Sequence, residues 1–214
     1  NDMRPLLDLT KEYGLVLDGG GARGAYQIGA WKALKEAGVK IAAVAGTSVG
    51  ALNGALICMD DLEKAEKIWS EMEFSRVMSV DDDWMRQFFQ GEQKLGDILA
   101  ELGRVFRDGG VDAAPLRKLI HENVDEEKIR GCGKEFFIVT FSLTDMKELE
   151  LSVSDIPEGR LEDFLLASAY LVGFKNEPME DGKRYIDGGI FNNVPADVLV
   201  EKGYTDLIEI RIYG

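Results

Sequence analysis

Histidine and cysteine are nearly absent from this sequence of 214 residues, which contains one histidine and two cysteines. Two cysteines are too few for a disulfide framework, so we interpret Cys58 and Cys132 as small buried apolar residues of a protein from a reducing compartment. No pair of histidines or cysteines has the spacing of zinc ligands, and we predict no metal site. His121 falls at the polar end of a predicted helix, which indicates a solvated or capping side chain.

Long apolar runs and positive charge are also scarce. No run reaches the about 18 residues expected of a membrane-spanning helix, and no N-terminal signal region is present, so we expect a cytoplasmic protein. The 25 Lys and Arg residues face 39 Asp and Glu residues, and the net charge of −14 argues against nucleic acid as a partner. This charge does not exclude peripheral membrane contact through a local surface. The sequence leaves the oligomeric state open.

Strand and helix patterns alternate along the chain and indicate one domain over residues 13–214, after a leader over residues 1–12. The order predicts an α/β fold with three layers, α/β/α, around a mostly parallel sheet. The predicted strands are at residues 13–18, 41–45, 136–143, 148–153, 183–186 and 206–213. The predicted helices are at residues 25–37, 51–59, 61–73, 97–107, 115–123, 160–171 and 195–202. Gly38 is expected to end the first helix. Asp60 or Asp61 is the expected cap of the third helix, and Asp112 that of the fifth.

The apolar residues between positions 74 and 96 show no clear helix or strand periodicity. This segment is interpreted either as a surface loop with a short packed helix or as a lid that contacts an acyl chain. The charge runs at 81–83 and 126–128 are interpreted as solvated surface.

A G-x-S-x-G motif, Gly46-Thr47-Ser48-Val49-Gly50, lies between a predicted strand and a predicted helix. Strand, sharp turn and helix form the setting in which this motif exposes a nucleophilic serine. Because the one histidine is far from any matching motif, another group must activate Ser48.

A second glycine-rich segment, Gly19-Gly20-Gly21-Ala22-Arg23-Gly24, follows the first strand. It fits the dinucleotide fingerprint G-x-G-x-x-G, but the next strand ends without the carboxylate that would bind a ribose. The other interpretation is an anion-binding loop at a helix N-terminus, where backbone N–H groups face a developing oxyanion. Arg23 would add a cation or anchor this loop.

The third segment is Asp187-Gly188-Gly189, at the end of a short predicted strand. Taken alone it indicates a turn. Together with Ser48 and the missing histidine, it makes Asp187 a candidate general base.

The three segments, in this order, resemble the patatin-like phospholipase family, and the resemblance extends over residues 13–212. It implies a patatin-like fold and hydrolysis of lipid acyl esters, of phospholipase A or lysophospholipase type, without a metal or organic cofactor. It also implies that a further C-terminal region can follow the domain. One departure is Val172, which stands where relatives commonly have proline. The implied roles are a catalytic dyad of Ser48 and Asp187, an oxyanion hole of Gly19, Gly20, Gly21, Ala22 and Arg23, and motif glycines Gly46, Gly50, Gly188 and Gly189.

Three alternatives to a lipid hydrolase stay open on the sequence. The first is a soluble carboxylesterase or thioesterase, and the second is a catalytically silent binding protein of the same fold. The third is a nucleotide-binding domain.

Overall fold

A computed structural model of the protein describes residues 7–19, 21–71, 113–169, 178–187 and 195–211. Several predictions lie outside these residues: the segment at 74–96 with its acidic run, the helix at 97–107, and the departure at position 172.

The described strands and helices follow the predicted order. The strands are β1 (Glu12–Leu17), β2 (Lys40–Thr47), β3 (Glu135–Ser142), β4 (Lys147–Ser152), β5 (Tyr185–Asp187) and β6 (Leu207–Ile210). The helices are α1 (Ala25–Glu36), α2 (Val49–Met59), α3 (Leu62–Ser70), α4 (Ala114–Asn123), α5 (Glu126–Arg130), α6 (Leu161–Ser168) and α7 (Ala196–Glu201). Each predicted element within the described residues is found with its ends within three residues, and α5 is an addition to the prediction.

The strands form one sheet in the order β4-β3-β2-β1-β6, and β5 also pairs with β3. The pairs β1–β2, β1–β6 and β2–β3 are parallel. The hairpin strand β4 and the short strand β5 run antiparallel to β3. The prediction of a mostly parallel sheet is confirmed.

Alternate residues of the central strands enter two separate cores, one on each face of the sheet. On one face, Leu15, Leu17 and Val44 pack with helices α1 to α6. On the other face, Val16 and Ala45 belong to a smaller cluster that includes residues of α7. This alternation follows from the two-residue period of a strand, and it confirms the three-layer α/β/α architecture.

Two helix ends in the described residues follow the prediction. Asp61 caps α3, because its carboxylate accepts a hydrogen bond from the backbone N–H of Lys64 at 3.0 Å. Gly38 ends α1 with a φ of +79°, a conformation that favours glycine. The predicted cap Asp112 lies outside the described residues; Ala113, at the N-cap position of α4, makes no side-chain cap bond. Pro115 stands in the first turn, where its missing N–H removes one donor that a cap would satisfy.

The charge run at 126–128 forms part of α5, and its interpretation as solvated surface was wrong for Glu126. The Glu126 carboxylate accepts hydrogen bonds from the backbone N–H groups of Gly159 at 2.7 Å and Leu161 at 2.9 Å. Burial raises the pKa of Glu126, but these two N–H groups and the Arg130 guanidinium outweigh it, so its pKa lies below the ordinary value. Glu126 therefore joins α5 to the start of α6.

We predict that Glu126→Gln lowers the free energy of unfolding by about 1–2 kcal/mol at pH 7, because a neutral amide is a weaker acceptor than a carboxylate. A carboxyl whose pKa is lowered by folding contributes stability that is complete above its ordinary pKa of 4.5. That contribution is lost as the pH falls through the folded value. Urea denaturation at pH 7, 5 and 4 should therefore show the difference between wild type and variant shrinking at pH 4.

The matched control is Glu127→Gln, at the exposed neighbouring position of the same helix. Its effect should stay within about 0.5 kcal/mol at every pH. Equal effects at the two positions would contradict the assigned contacts of Glu126.

Candidate active site

Ser48 occupies a strained turn between β2 and α2. Its φ of 57° and ψ of −126° lie in a region that residues with a side chain rarely adopt. Such a conformation costs about 1–3 kcal/mol and persists only where the surroundings fix it. A strained serine at a strand-to-helix turn has the geometry of a nucleophile elbow.

The two glycines of the motif allow α2 to approach the sheet closely. A Cβ atom at Gly46 would lie 2.3 Å from the carbonyl oxygen of Gly50. A Cβ atom at Gly50 would lie 2.3 Å from the carbonyl oxygen of Leu17, at the end of β1. Both distances are far below van der Waals contact, so both positions require glycine in this arrangement.

The Ser48 side chain is buried, with an exposed fraction of 0%. Within the part of the chain that the structure describes, its Oγ atom has no hydrogen-bond partner. Ser48 is also the N-cap of α2, so its side chain stands at the positive end of the helix dipole. Buried polar atoms are rarely left unpaired, and an unpaired hydroxyl beside a positive helix end is suited to reaction as a nucleophile.

The sheet register brings the Asp187 backbone next to the elbow. β4 occupies one edge of β3 from Phe137 to Ser142, so β2 and β5 must share the opposite edge. On that edge, Val139 pairs with Thr47, and the next residue, Thr140, pairs with Asp187. β5 thus continues the edge at the point where β2 turns away through Ser48.

The glycine-rich segment lies at the same edge of the sheet as the elbow. It follows β1, whose residue Leu17 pairs with Gly46 of the parallel strand β2. The carboxyl ends of parallel strands lie at the same end of the sheet. Gly19 is buried, a 3-10 helix spans Gly21–Gly24, and α1 follows directly. Arg23 within this helix is exposed. Gly20, Gly188 and Gly189 lie outside the described residues.

A family model described as "Patatin-like phospholipase" matches residues 15–200. The chain belongs to the patatin-like phospholipase family. The matched range includes the glycine-rich segment, the elbow and the Asp187 motif, and it confirms the resemblance seen in the sequence.

Relatives of this patatin-like chain include much longer proteins. The chain is 32% identical over 203 residues to neuropathy target esterase sws from Drosophila melanogaster, covering 93% of the chain and 13% of that protein. It is 30% identical over 201 residues to patatin-like phospholipase domain-containing protein 6 from Homo sapiens, covering 92% and 13% respectively. The chain therefore spans 13% of the length of these curated relatives.

The fold of this patatin-like chain is similar to that of a bacterial protein of known structure. The crystal structure of VipD from Legionella pneumophila superposes with a TM-score of 0.54 and 18% sequence identity. The superposition covers 86% of this chain and 47% of that one. At this identity the likeness supports the fold alone.

Two buried amide side chains of the patatin-like domain connect the ends of the glycine-rich segment. Gln27 Nε2 donates to the carbonyl oxygen of Asp18, directly before the segment, at 2.8 Å. Asn53 Nδ2 donates to the carbonyl oxygen of Gly24, at its other end, and to Gln27 Oε1, both at 2.9 Å. Trp69 Nε1 donates to Asn53 Oδ1 at 2.8 Å, which fixes the orientation of that amide. We call Gln27, Asn53 and Trp69 the amide clamp.

The sequence prediction missed the amide clamp, as it missed Ser168, whose Oγ accepts a hydrogen bond from the Ser48 backbone N–H at 2.9 Å. One signal was available, because Asn53 is the one amide side chain in an otherwise apolar predicted helix. A polar residue at a core position is retained when it bonds to other buried polar groups.

The remaining candidates from the sequence lie apart from the elbow. His121 is exposed on α4, and its Nδ1 lies 2.9 Å from Glu162 Oε2, a hydrogen bond that raises the pKa of the imidazole. Cys58 is buried in the core, as predicted. Cys132 is only half-buried, and a hydrogen bond with Cys58 is the main cause that lowers its pKa to about 6. Cys132 packs against the core, but its interpretation as a buried residue was wrong.

Metal ligands and membrane spans were sought in the described residues. There, no group of three or more His, Cys, Asp or Glu side chains is arranged to hold a metal ion. In the same residues, no helix combines the length and apolar character needed to cross a membrane.

We predict that Asn53→Ala lowers the free energy of unfolding by about 2–4 kcal/mol, because it removes the hydrogen-bond partner of three buried polar groups. The matched control is Asn123→Ala at the end of α4, where the amide bonds only the Leu119 carbonyl oxygen at 2.9 Å. That variant should change stability by about 0.5 kcal/mol or less. Urea denaturation compares the two, and equal losses would contradict the amide clamp.

Proposed function

We propose that the protein hydrolyses carboxylic esters of lipids, with Ser48 as the nucleophile and Asp187 as the general base. The observation that carries this proposal is the strained, buried Ser48, whose Oγ has no hydrogen-bond partner among the described residues. Membership of the patatin-like phospholipase family supports a lipid ester as substrate. A phospholipase A or lysophospholipase type of reaction is the specific form that we propose.

The reaction proceeds through an acyl-enzyme. Ser48 Oγ attacks the ester carbonyl carbon while Asp187 accepts the proton of the Ser48 hydroxyl, and a tetrahedral oxyanion forms. Backbone N–H groups of the segment at 19–23 stabilise this charge, with Arg23 as a nearby cation. Collapse of the intermediate breaks the ester bond, and the leaving alcohol takes the proton from Asp187. Water, deprotonated by Asp187, then attacks the carbonyl carbon of the acyl-Ser48 ester. Collapse of this second intermediate breaks the bond to Ser48 Oγ, which takes the proton back from Asp187, and releases the carboxylic acid.

An aspartate must be helped to act as this base. Its ordinary pKa of about 3.9 makes it a weak acceptor for a serine proton. The positive end of α2 beside Ser48 lowers the cost of forming negative charge on Oγ. The backbone pairing of Asp187 with Thr140 supports a short path for the proton, since Thr140 directly follows the partner of Thr47.

The names of the relatives support the choice of substrate class. One is called an esterase and another a patatin-like phospholipase domain-containing protein. Because the chain spans 13% of their length, it corresponds to one region of each. We propose that this region carries the ester hydrolysis by itself.

We predict that Ser48→Ala and Asp187→Asn each lower hydrolysis by about 10³-fold or more, because nucleophile and base act as one unit. Ser48→Ala should also abolish covalent labelling by a fluorophosphonate, with Ser48 as the labelled residue in the wild type by mass spectrometry. Both variants should keep the melting temperature of a folded protein. The matched controls are Ser154→Ala and Asp155→Ala, at exposed positions away from the elbow.

Different results would favour the alternatives. Half of the wild-type activity in Asp187→Asn would contradict the dyad, and an unlabelled Ser48 would favour a silent binding protein. Turnover of short p-nitrophenyl esters without turnover of phospholipid vesicles or micelles would favour a soluble esterase. A rise in melting temperature on addition of NAD or ATP would favour a nucleotide-binding domain.

A further inference from the structure

The Ser168 hydroxyl lies between the nucleophile's turn and the neighbouring strand. Its Oγ accepts a hydrogen bond from the Ser48 backbone N–H at 2.9 Å and donates one to the Val139 carbonyl oxygen at 2.5 Å. Ser48, Val139 and Ser168 all have an exposed fraction of 0%. Since this hydroxyl both accepts and donates, its orientation is fixed by the backbone on either side.

This bridge stands at the place where the ladder of β2 and β3 ends. Thr47 and Val139 are the last residues paired between these strands, and the chain turns away at the next residue, Ser48. A strand that leaves a sheet exposes backbone N–H and C=O groups that require new partners. The Ser168 hydroxyl satisfies one N–H of the turn and one C=O of β3.

The end of α6 that carries Ser168 is itself held on β3. Thr140 Oγ1 donates to the carbonyl oxygen of Ala167 at 2.9 Å. Two consecutive residues of β3 thus bind two consecutive residues of α6, and Thr140 is also the backbone partner of Asp187. The end of α6 is therefore held firmly on β3, and this fixes the position of Ser168 next to Ser48.

We propose that Ser168 is a positioning residue, which holds the Ser48 turn in its strained conformation so that Oγ remains aimed for attack. The inference rests on the proposed function of Ser48. Without the bridge, the Ser48 N–H and the Val139 C=O both lose a buried partner, and the turn can relax towards ordinary backbone angles. A small displacement of a reacting atom lowers the rate of chemistry more than it weakens substrate binding.

The first test compares Ser168→Ala with Ser142→Ala. Ser142 is an equally buried serine on β3, and its Oγ accepts one backbone hydrogen bond, from the Asp145 N–H at 3.0 Å. Ser168→Ala should lower kcat for a p-nitrophenyl ester by about 10- to 100-fold and leave KM within about threefold. It should lower the rate constant of fluorophosphonate labelling at Ser48 by a similar factor. Ser142→Ala should keep both rates within about twofold of wild type.

The second test separates the hydrogen bonds of Ser168 from its volume. Ser168→Thr keeps the hydroxyl and adds a methyl group, whereas Ser168→Cys keeps a side chain of similar length with a much weaker hydrogen-bonding group. Ser168→Thr should keep kcat within about fivefold of wild type, and Ser168→Cys should lose more than about tenfold. This pair decides the matter even if Ser168→Ala fails to fold.

The outcomes distinguish this inference from the proposed function. If Ser48 is labelled and active in the wild type while folded Ser168→Ala keeps kcat within threefold, the positioning role is wrong and the function stands. Equal losses in Ser168→Thr and Ser168→Cys would also overturn it, because volume would then be the cause. If the wild-type Ser48 is not labelled at all, the proposed function fails and the inference fails with it.

Discussion

The close contact of α2 with the carboxyl ends of β1 and β2 is the constraint on which the site depends. Hydrogen atoms at Gly46 and Gly50 are the largest groups that fit, since a Cβ at either position would lie 2.3 Å from a carbonyl oxygen. This contact brings the helix N-terminus down onto the sheet and leaves one residue, Ser48, to make the whole turn. The positive φ of Ser48 is therefore a consequence of packing, and the buried helix around it supplies the compensating stability.

Bringing a helix, a strand end and a glycine-rich segment together also buries many backbone polar groups, and side chains satisfy them. The amide clamp binds the carbonyl oxygens on both sides of that segment, and Ser168 bridges the turn to β3. Each of these donors is buried and already paired. Within the described residues, the hydroxyls of Ser48 and of the neighbouring Thr47 are left without a hydrogen bond beside these paired groups. Unpaired buried hydroxyls within a rigid shell are the arrangement expected where a polar group is kept for reaction.

The sequence predicted the parts of this structure that depend on local patterns. The order of strands and helices, the Asp61 cap and the end of α1 at Gly38 follow from hydrophobic period, side-chain capping and the freedom of glycine. The sequence did not predict partners that are distant along the chain: Ser168 lies 120 residues from Ser48. Glu126 was misjudged for the same reason, because its partners are backbone N–H groups 33 and 35 residues away, and no side-chain pattern marks them.

The register of β5 supports the proposal that Asp187 takes the place that a histidine holds in many serine hydrolases. An aspartate side chain is short, so a base of this type must come from backbone that already adjoins the nucleophile. β2 leaves the edge of β3 after Val139, and β5 occupies the same edge from Thr140, with Asp187 as the residue paired there. The proposed base thus comes from β5, which follows β2 along the same edge of β3. A side chain longer than that of aspartate is therefore not needed. In this proposal, strand pairing brings the backbones of Ser48 and Asp187 close together, so a short side chain can serve as the base. The scarcity of histidine is compatible with this chemistry.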